Sequence, residues 1–264
     1  MLVSEEALLE KYFPFDIPVP YKDWHIHAIK MRDSYDVNDA IGILSMDKNT
    51  LGEADFIMMS NLRFCMLFVS SDPTYKESFE SLLRVALDIS DEESFRYCVD
   101  DDTEYIEVGV SVGQTRGGYP ILKEGTIRVI TAEDFDEIKR VILFSVDIDY
   151  TDDYVDPDVR KMTDEYFRLK SQGKSVPLEH KVLCLRMATG MNGEEVGNLS
   201  IRNFYQLYNI MVGESEYSAC RLAESMGAKF SKPLEHWAYS AHKNKYTEAF
   251  VDADSFTSYV QSAN

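Results

Sequence analysis

SFRYCVDDDTEYIEVGVSVGQTRGGYPILKEGTIRVIT, residues 94–131, is where the chain changes its period. Within SFRYCV, EYIEVGVSV, GYPIL and TIRVI apolar side chains alternate with others, the period of two that a half-buried strand requires. The breaks between them, DDDT, GQTRGG and KEG, are turn chemistry. This pattern predicts a small antiparallel β-meander. Apolar residues on both sides of it recur mostly at helical spacing. The expected class is therefore α+β and mainly helical, with one N-terminal strand, a small antiparallel β-meander insertion and a helical C-terminal half.

Upstream, Ser4 followed by Glu5 and Glu6 starts a short helix to about Phe13. FPFDIPVPY (13–21) then places Phe13, Phe15, Ile17, Val19 and Tyr21 at alternate positions, while Pro14, Pro18 and Pro20 forbid helix and remove backbone donors. That piece reads as an extended arm with one apolar face, which either packs on its own domain or clips onto another subunit. Its five alternating residues are the candidate partner-binding set. WHIHAIKM (24–31) reads as a strand, with Trp24, Ile26 and Ala28 on one face and His25, His27 and Ile29 on the other. Helices are expected after Asp33, from about Ala54 to Val69, and from Pro73.

Downstream, Thr131 and Asp134 form a near capping box for a helix carrying Phe135, Ile138 and Ile142. VDIDYTDDYVDPD (146–158) is the best linker candidate. Beyond it the pattern is helical: a helix opened by Asp156 and Pro157, then about 177–189 ended by Gly190, 200–212, 215–226 ended by Gly227, 233–240 and 253–262. The expected pieces are an arm (1–20), a strand with helices (21–93), an acidic β-meander (94–131) and a helical domain (132–264).

The chain has 264 residues, is 45% hydrophobic, and carries 14 Phe and 16 Tyr, enough for a sizeable core. Its apolar runs are short, FCMLFV (64–69) being the longest, so no membrane span is expected. An acidic N-terminus, MLVSEEALLEKYF, is unlike a basic export signal. Cys65, Cys98, Cys184 and Cys220 lie far apart with no CxxC pair, and three of them sit among apolar neighbours, which suits packed, reduced thiols of a cytoplasmic protein. Net charge is −19, and residues 91–158, with 19 Asp/Glu against 6 Lys/Arg, hold −13 of it. Such a region repels phosphate backbones, so no nucleic acid is expected as a partner. It is either a solvated face or a docking surface for a basic partner.

Candidate chemistry is sparse. His25 and His27 share a strand face, but a zinc site needs two more ligands, and His180, His236 and His242 are distant and lack ligand spacing. Asp147, Asp149 and Thr151 take odd positions of a calcium-loop pattern, yet Asp152 stands where the turn takes Gly and Asp158 replaces the bidentate Glu. GQTRGG (113–118) joins strands and is followed by no Lys-Ser/Thr, so it reads as a hairpin and not a phosphate cradle. No GxSxG elbow or catalytic Cys–His signature is present. The chain is expected to be no enzyme and to use no metal or cofactor.

Two resemblances add to this. LCLRMATGMNGEEVGNLSIRNFYQL (183–207) is similar in rhythm to the catalytic stretch of tyrosine recombinases, where a Thr-Gly-Leu-Arg turn supplies an essential arginine. Here the turn reads Thr189-Gly190-Met191-Asn192, and HWAYSAHKNKY (236–246) supplies no HxxR, so the cations that stabilise a phosphorane-like transition state are missing. That resemblance implies a helix-turn-helix-like local fold and, as the alternative function, a nucleic-acid-binding regulator or degenerate recombinase-like protein. Residues 21–264 resemble, in order and texture, proteins of the tail and baseplate modules of tailed bacteriophages, of the tail assembly chaperone or baseplate hub assembly kind. The carriers are YKDWHIHAIKMRD, the acidic β insert, LEHKVLCLRMATGMNGEEVGNLSIRNFYQLYNIM and a late HW pair. This second likeness implies a non-enzymatic assembly or structural protein in the host cytoplasm, acting on other tail or baseplate proteins.

Overall fold

The computed structural model describes residues 2–46, 48, 54–99, 103–148, 176–230, 234, 236 and 238. Two compact units are present, one of Met1–Asp152 with Asn192–Tyr205, the other of Asp153–Met191 with Gln206–Asn264. The fold is α+β and mainly helical.

In the first unit Ser4 caps a turn α1 (Glu5–Ala7), its hydroxyl accepting from Ala7 N–H at 3.2 Å. The chain then widens into a π-turn over Leu8–Tyr12 and tightens into a 3-10 turn over Phe13–Phe15. Leu8, Tyr12 and Phe13 all point inward from this stretch. A hairpin follows, β1 (Val19–Tyr21) against β2 (Trp24–Ile26), with Tyr21 opposite Trp24 and Lys22 turning the chain at φ 49°. Helices α2 (Ser34–Leu44), α3 (Ala54–Met58), α4 (Asn61–Ser71) and α5 (Pro73–Leu87) come next. The helix expected over 54–69 is two helices, because Ser60 takes an extended backbone and caps α4 by accepting from Arg63 N–H at 3.0 Å.

The sheet comprises β3 (Glu93–Val99), β4 (Glu104–Gln114), β5 (Pro120–Leu122) and β6 (Arg128–Thr131). All pairings are antiparallel, but the sheet is not the simple meander expected. β4 is the centre: β3 pairs along one edge, while β6 and β5 divide the other, β6 at Tyr105–Val108 and β5 at Ser111–Gln114. Thr131 ends β6 and, with Asp134, closes a full capping box on α6 (Ala132–Ser145). Phe95, Ile106, Val108 and Ile130 from the sheet, Phe79, Leu82, Leu83 and Ala86 from α5, and Phe135, Ile138, Val141 and Ile142 from α6 belong to one core. Leu8, Phe13, Val19, Trp24 and Ile201 join it. The boundaries expected at 20/21, 93/94 and 131/132 therefore run through a single hydrophobic core, because the arm, helices and sheet bury their apolar faces on one another and not within each piece.

Asp134 ties the hairpin to α6. Besides its cap contacts it accepts from Tyr21 Oη at 3.1 Å and pairs with Lys22. Burial pushes its pKa up, but hydrogen bonds from Lys22 and Thr131 push harder the other way and leave it below the ordinary aspartate range. A carboxyl whose folded pKa lies below its unfolded value stabilises the fold fully above the unfolded value, and that contribution fades as pH falls through the folded one. Urea midpoints are thus expected to drop on acidification through the aspartate range, and Asp134→Asn to flatten the drop. An unchanged pH profile in the variant would remove Asp134 from this role.

In the second unit α7 (Leu178–Thr189) ends at Gly190, whose φ of 78° supplies the left-handed cap. Short α8 (Gly193–Asn198) belongs to the first unit, and α9 (Ile201–Ser225) starts there and continues into the second. The two helices expected over 200–212 and 215–226 are one, since Gly213 alone does not stop a helix and Ser215 bonds back to Met211 O at 2.9 Å. The Asp156–Pro157 helix, most of the 146–158 linker, most of the 233–240 helix and all of the 253–262 helix lie outside the described residues.

Candidate functional site

The longest strand outruns its neighbours. Pairing between β3 and β4 stops at Glu93 opposite Val110, with one further bond from Ser111 N–H to Glu92 O at 3.4 Å. β4 continues to Gln114 accompanied only by β5. Register shifts between Ser111 and Gly113, which leaves Val112 as the extra residue of a bulge. Thr115 N–H donates to Tyr119 O (2.8 Å), Gly118 N–H to Thr115 O (3.0 Å), and Gly118 sits at φ 81°, so the GQTRGG segment closes as the hairpin expected from sequence. Three large apolar residues stand exposed on this ribbon: Val112 at 62%, Tyr119 at 67% and Ile121 at 43%. A two-stranded ribbon is marginal by itself, so apolar side chains on it point to a contact surface.

Charge distinguishes the ribbon from its base. Residues 108–123, VGVSVGQTRGGYPILK, contain no Asp or Glu, and Arg116 and Lys123 are exposed. Beside the base, Asp91 and Glu92 are exposed. Across the rest of the sheet the charges are largely paired: Arg96 with Glu107, Arg63 with Glu104 (3.3 Å) and Arg128 with Glu93 (2.8 Å). Arg128 also lies over the Trp24 ring at 4.4 Å.

The expected partner-binding arm is divided by the fold. Phe13, Val19 and Tyr21 are buried in the chain's own core, whereas Phe15 (69%) and Ile17 (44%) are exposed. The arm is not one extended strand. Phe13–Phe15 form a 3-10 turn, Asp16 sits at φ 51°, and Ile17 N–H returns to Tyr12 O at 2.9 Å, so the period of two breaks between Phe13 and Val19. As a partner surface only Phe15 and Ile17 remain.

His25 is exposed and His27 half-buried, and among the described residues no group of three or more His, Cys, Asp or Glu is placed to hold a metal. The strand expected over 24–31 ends at Ile26. Its remainder joins a segment well over half the chain away: Met31 N–H donates to Leu199 O (2.9 Å), Ile201 N–H to Ile29 O (2.8 Å), and Lys30 bridges Ser200. This long-range pairing brings the recombinase-like stretch home, and no local pattern announces it.

Within that stretch Asn192 has a structural occupation. Its Oδ1 accepts from Glu195 N–H (3.0 Å) while Glu195 Oε2 accepts from Asn192 N–H (2.7 Å), a capping box that starts α8. Arg202 is likewise committed, donating to Phe144 O at 3.0 Å, pairing with Asp147 at 3.1 Å and lying 4.6 Å from the Phe144 ring centre. Asn192→Arg, which rewrites the turn as in recombinases, is expected to lose about 1 kcal/mol of stability with the cap, and denaturant titration reads it directly.

Of the four cysteines only Cys65 is buried, and burial pushes its thiol up to about 12, so it is inert. Cys184 is exposed, against the expectation of a packed thiol, because its helix turns that side outward. No helix among the described residues is long and apolar enough to cross a membrane. Comparison with protein-family models, with curated proteins and with solved structures gave no match to this chain.

Proposed function

We propose that this chain is a non-enzymatic assembly or structural component of the tail or baseplate of a tailed bacteriophage, working in the host cytoplasm through protein–protein contacts. One observation carries the contact reading: the β4–β5 ribbon, which holds Val112, Tyr119 and Ile121 out in solvent beyond the sheet's core. Exposed Phe15 and Ile17 add a second apolar spot, and aromatic side chains are the usual anchors of interfaces. The phage assignment is supported by the likeness in order and texture to tail-module proteins. The acidic region 91–158 suits a basic partner surface within such an assembly.

Affinity purification of the tagged full chain during infection, followed by mass spectrometry, tests this reading. Tail or baseplate proteins at a near-fixed ratio are expected, and Tyr119→Ser with Ile121→Ser is expected to lose them. Recovery of nucleic acid or a small ligand with no tail protein overturns the assignment and revives the recombinase-like alternative.

A further inference from the structure

We propose that the outer edge of β3, from Phe95 to Val99, takes an added β-strand from a partner protein: an extended segment with apolar residues at alternate positions and Lys or Arg at its ends. This rests on the reading of the chain as one that works through protein–protein contacts, and it names the partner segment that the acidic region 91–158 would hold. Three observations converge on such a strand.

The first is an open strand edge, and the bonds of β4 fix which groups it offers. Ser111 N–H reaches Glu92 O, while Val110 O accepts from Lys123 N–H at 2.9 Å. Odd residues of β4 from Tyr105 to Ser111 therefore turn their backbone to β3, and even ones turn it to β6 and β5. Through the register, Ser94, Arg96 and Cys98 lie opposite Gly109, Glu107 and Tyr105 and bond to β4. The N–H and C=O groups of Phe95, Tyr97 and Val99 point the other way, and no described residue bonds to them. Unpaired backbone groups sealed from water are rare, so this edge is open to water or to a strand. It begins after Glu93, whose carbonyl accepts from Arg84 Nη2 at 2.7 Å. Natural sheets blunt such edges with proline, free lysine or a bulge. Phe95–Val99 has none of these: its register against β4 runs unbroken, and its one charge, Arg96, is paired with Glu107.

The second is the setting of that edge. On its inward side Phe95 belongs to the core, and side chains of α5 meet it there. Tyr97 Oη donates to Glu80 Oε1 at 3.0 Å, and the Arg84 guanidinium lies 5.1 Å from the Phe95 ring centre. A strand laid along β3 sets every second side chain beside Phe95 and Tyr97, and those positions suit apolar residues.

The third is charge. Before β3, Asp88, Asp91 and Glu92 are exposed, and directly after Val99 the sequence runs Asp100-Asp101-Asp102. Acid therefore brackets the open edge, while Glu93 and Arg96 within β3 are paired with Arg128 and Glu107. A guest strand with a cation at each end matches this in either direction. A second copy paired antiparallel through β3 instead brings the acid before one strand to the acid after the other. Nucleic acid meets the same repulsion.

Amide hydrogen exchange of the full chain, read by NMR, tests the edge. In the free protein the amides of Phe95, Tyr97 and Val99 are expected to exchange at least about tenfold faster than those of Ser94, Arg96 and Cys98. The probe for the occupant is a fluorescein-labelled peptide, Lys-Lys-Val-Thr-Val-Thr-Val-Lys-Lys, followed by anisotropy. Saturable binding that weakens with salt, and that slows exchange at Phe95, Tyr97 and Val99, is expected. Replacing the peptide's Lys by Glu is expected to weaken binding at least about tenfold, as is Asp91→Lys with Glu92→Lys in the protein. N-methylation of alternate peptide amides should abolish binding in one phase and spare it in the other, because only every second guest amide faces β3. Val99→Pro removes an outward donor while sparing the bonds to β4, and is expected to weaken binding about tenfold. Circular dichroism and thermal unfolding of each variant keep misfolding apart from lost contact. Slow exchange at Phe95, Tyr97 and Val99 in the free chain overturns the proposal. So does a flat anisotropy up to about 1 mM peptide, binding indifferent to the phase of methylation, or a dimer of the chain that Val99→Pro dissolves. Tail proteins recovered equally by wild type and Val99→Pro overturn the strand docking and leave the contact reading standing. Peptide binding without recovery of tail proteins supports the docking and overturns the phage assignment.

Discussion

Phe13→Ala is expected to destabilise the isolated chain by about 3–5 kcal/mol, while Phe15→Ala stays within about 0.5 kcal/mol of wild type. The two residues are separated by one proline in the same FPF segment, and sequence gives them the same role. In the fold Phe13 is buried, stacks on Phe144 with ring centres 5.8 Å apart, and offers its carbonyl to Asn203 Nδ2 at 3.1 Å. Its truncation leaves a cavity that Leu8, Tyr12 and the α6 residues around Phe144 cannot collapse into without losing their own packing. Phe15 stands in solvent and leaves nothing behind. Urea unfolding of both variants checks the pair. Equal and small effects would return the whole arm to the status of a detachable partner clip, and deletion of residues 1–20 would then be tolerated as well.

Glu137→Ala is expected to cost about 2–4 kcal/mol, below the full cost of breaking a fully buried ion pair because Arg140 keeps some solvent. Glu137 is buried on α6 and holds Arg140 in a two-pronged contact, Nη2 to Oε1 at 2.7 Å and Nε to Oε2 at 2.8 Å. It also accepts from Val3 N–H at 3.2 Å, and Arg140 donates in return to Val3 O. One carboxylate therefore pins the N-terminus, and its hydrogen bond raises the Arg140 pKa further. Removing it strands a guanidinium and a backbone donor together, which costs more than the contacts themselves are worth. Glu137→Gln keeps one acceptor oxygen, able to serve Val3 N–H and Arg140 Nη2, but turns a donor toward Arg140 Nε, and is expected to recover roughly half the loss. Limited proteolysis near Val3 should quicken in the alanine variant, and a variant as resistant as wild type would refute the pinning role.

Much of the local structure is legible in the residues. Ser4, Asp72, Thr131 and Asn192 start helices because a short polar side chain next to a helical run satisfies a free backbone donor, a rule contained within four residues. Gly190 ends α7 because only glycine takes its φ cheaply. The four sheet strands appear near their expected places because alternation is also local. The GQTRGG turn, and with it the ribbon, was readable as a hairpin. That its apolar residues would be exposed was not, since alternation marks a face without saying whether anything covers it.

What the sequence determined by itself is therefore the class of the fold, the caps and turns, and the concentration of acid in residues 91–158, all set by neighbours within a few positions. The tertiary structure alone decided which apolar residues became core. Phe13, Val19 and Tyr21 went inside and Phe15 and Ile17 outside because a π-turn, a 3-10 turn and a left-handed Asp16 broke the alternation. The strand expected past Ile26 was taken over by Leu199–Ile201, a pairing across most of the chain whose loop-closure entropy is offset only once the whole core forms. The ribbon's exposure has the same origin: β4 is longer than the strands that shield it, and strand length against a neighbour is a property of the assembled sheet.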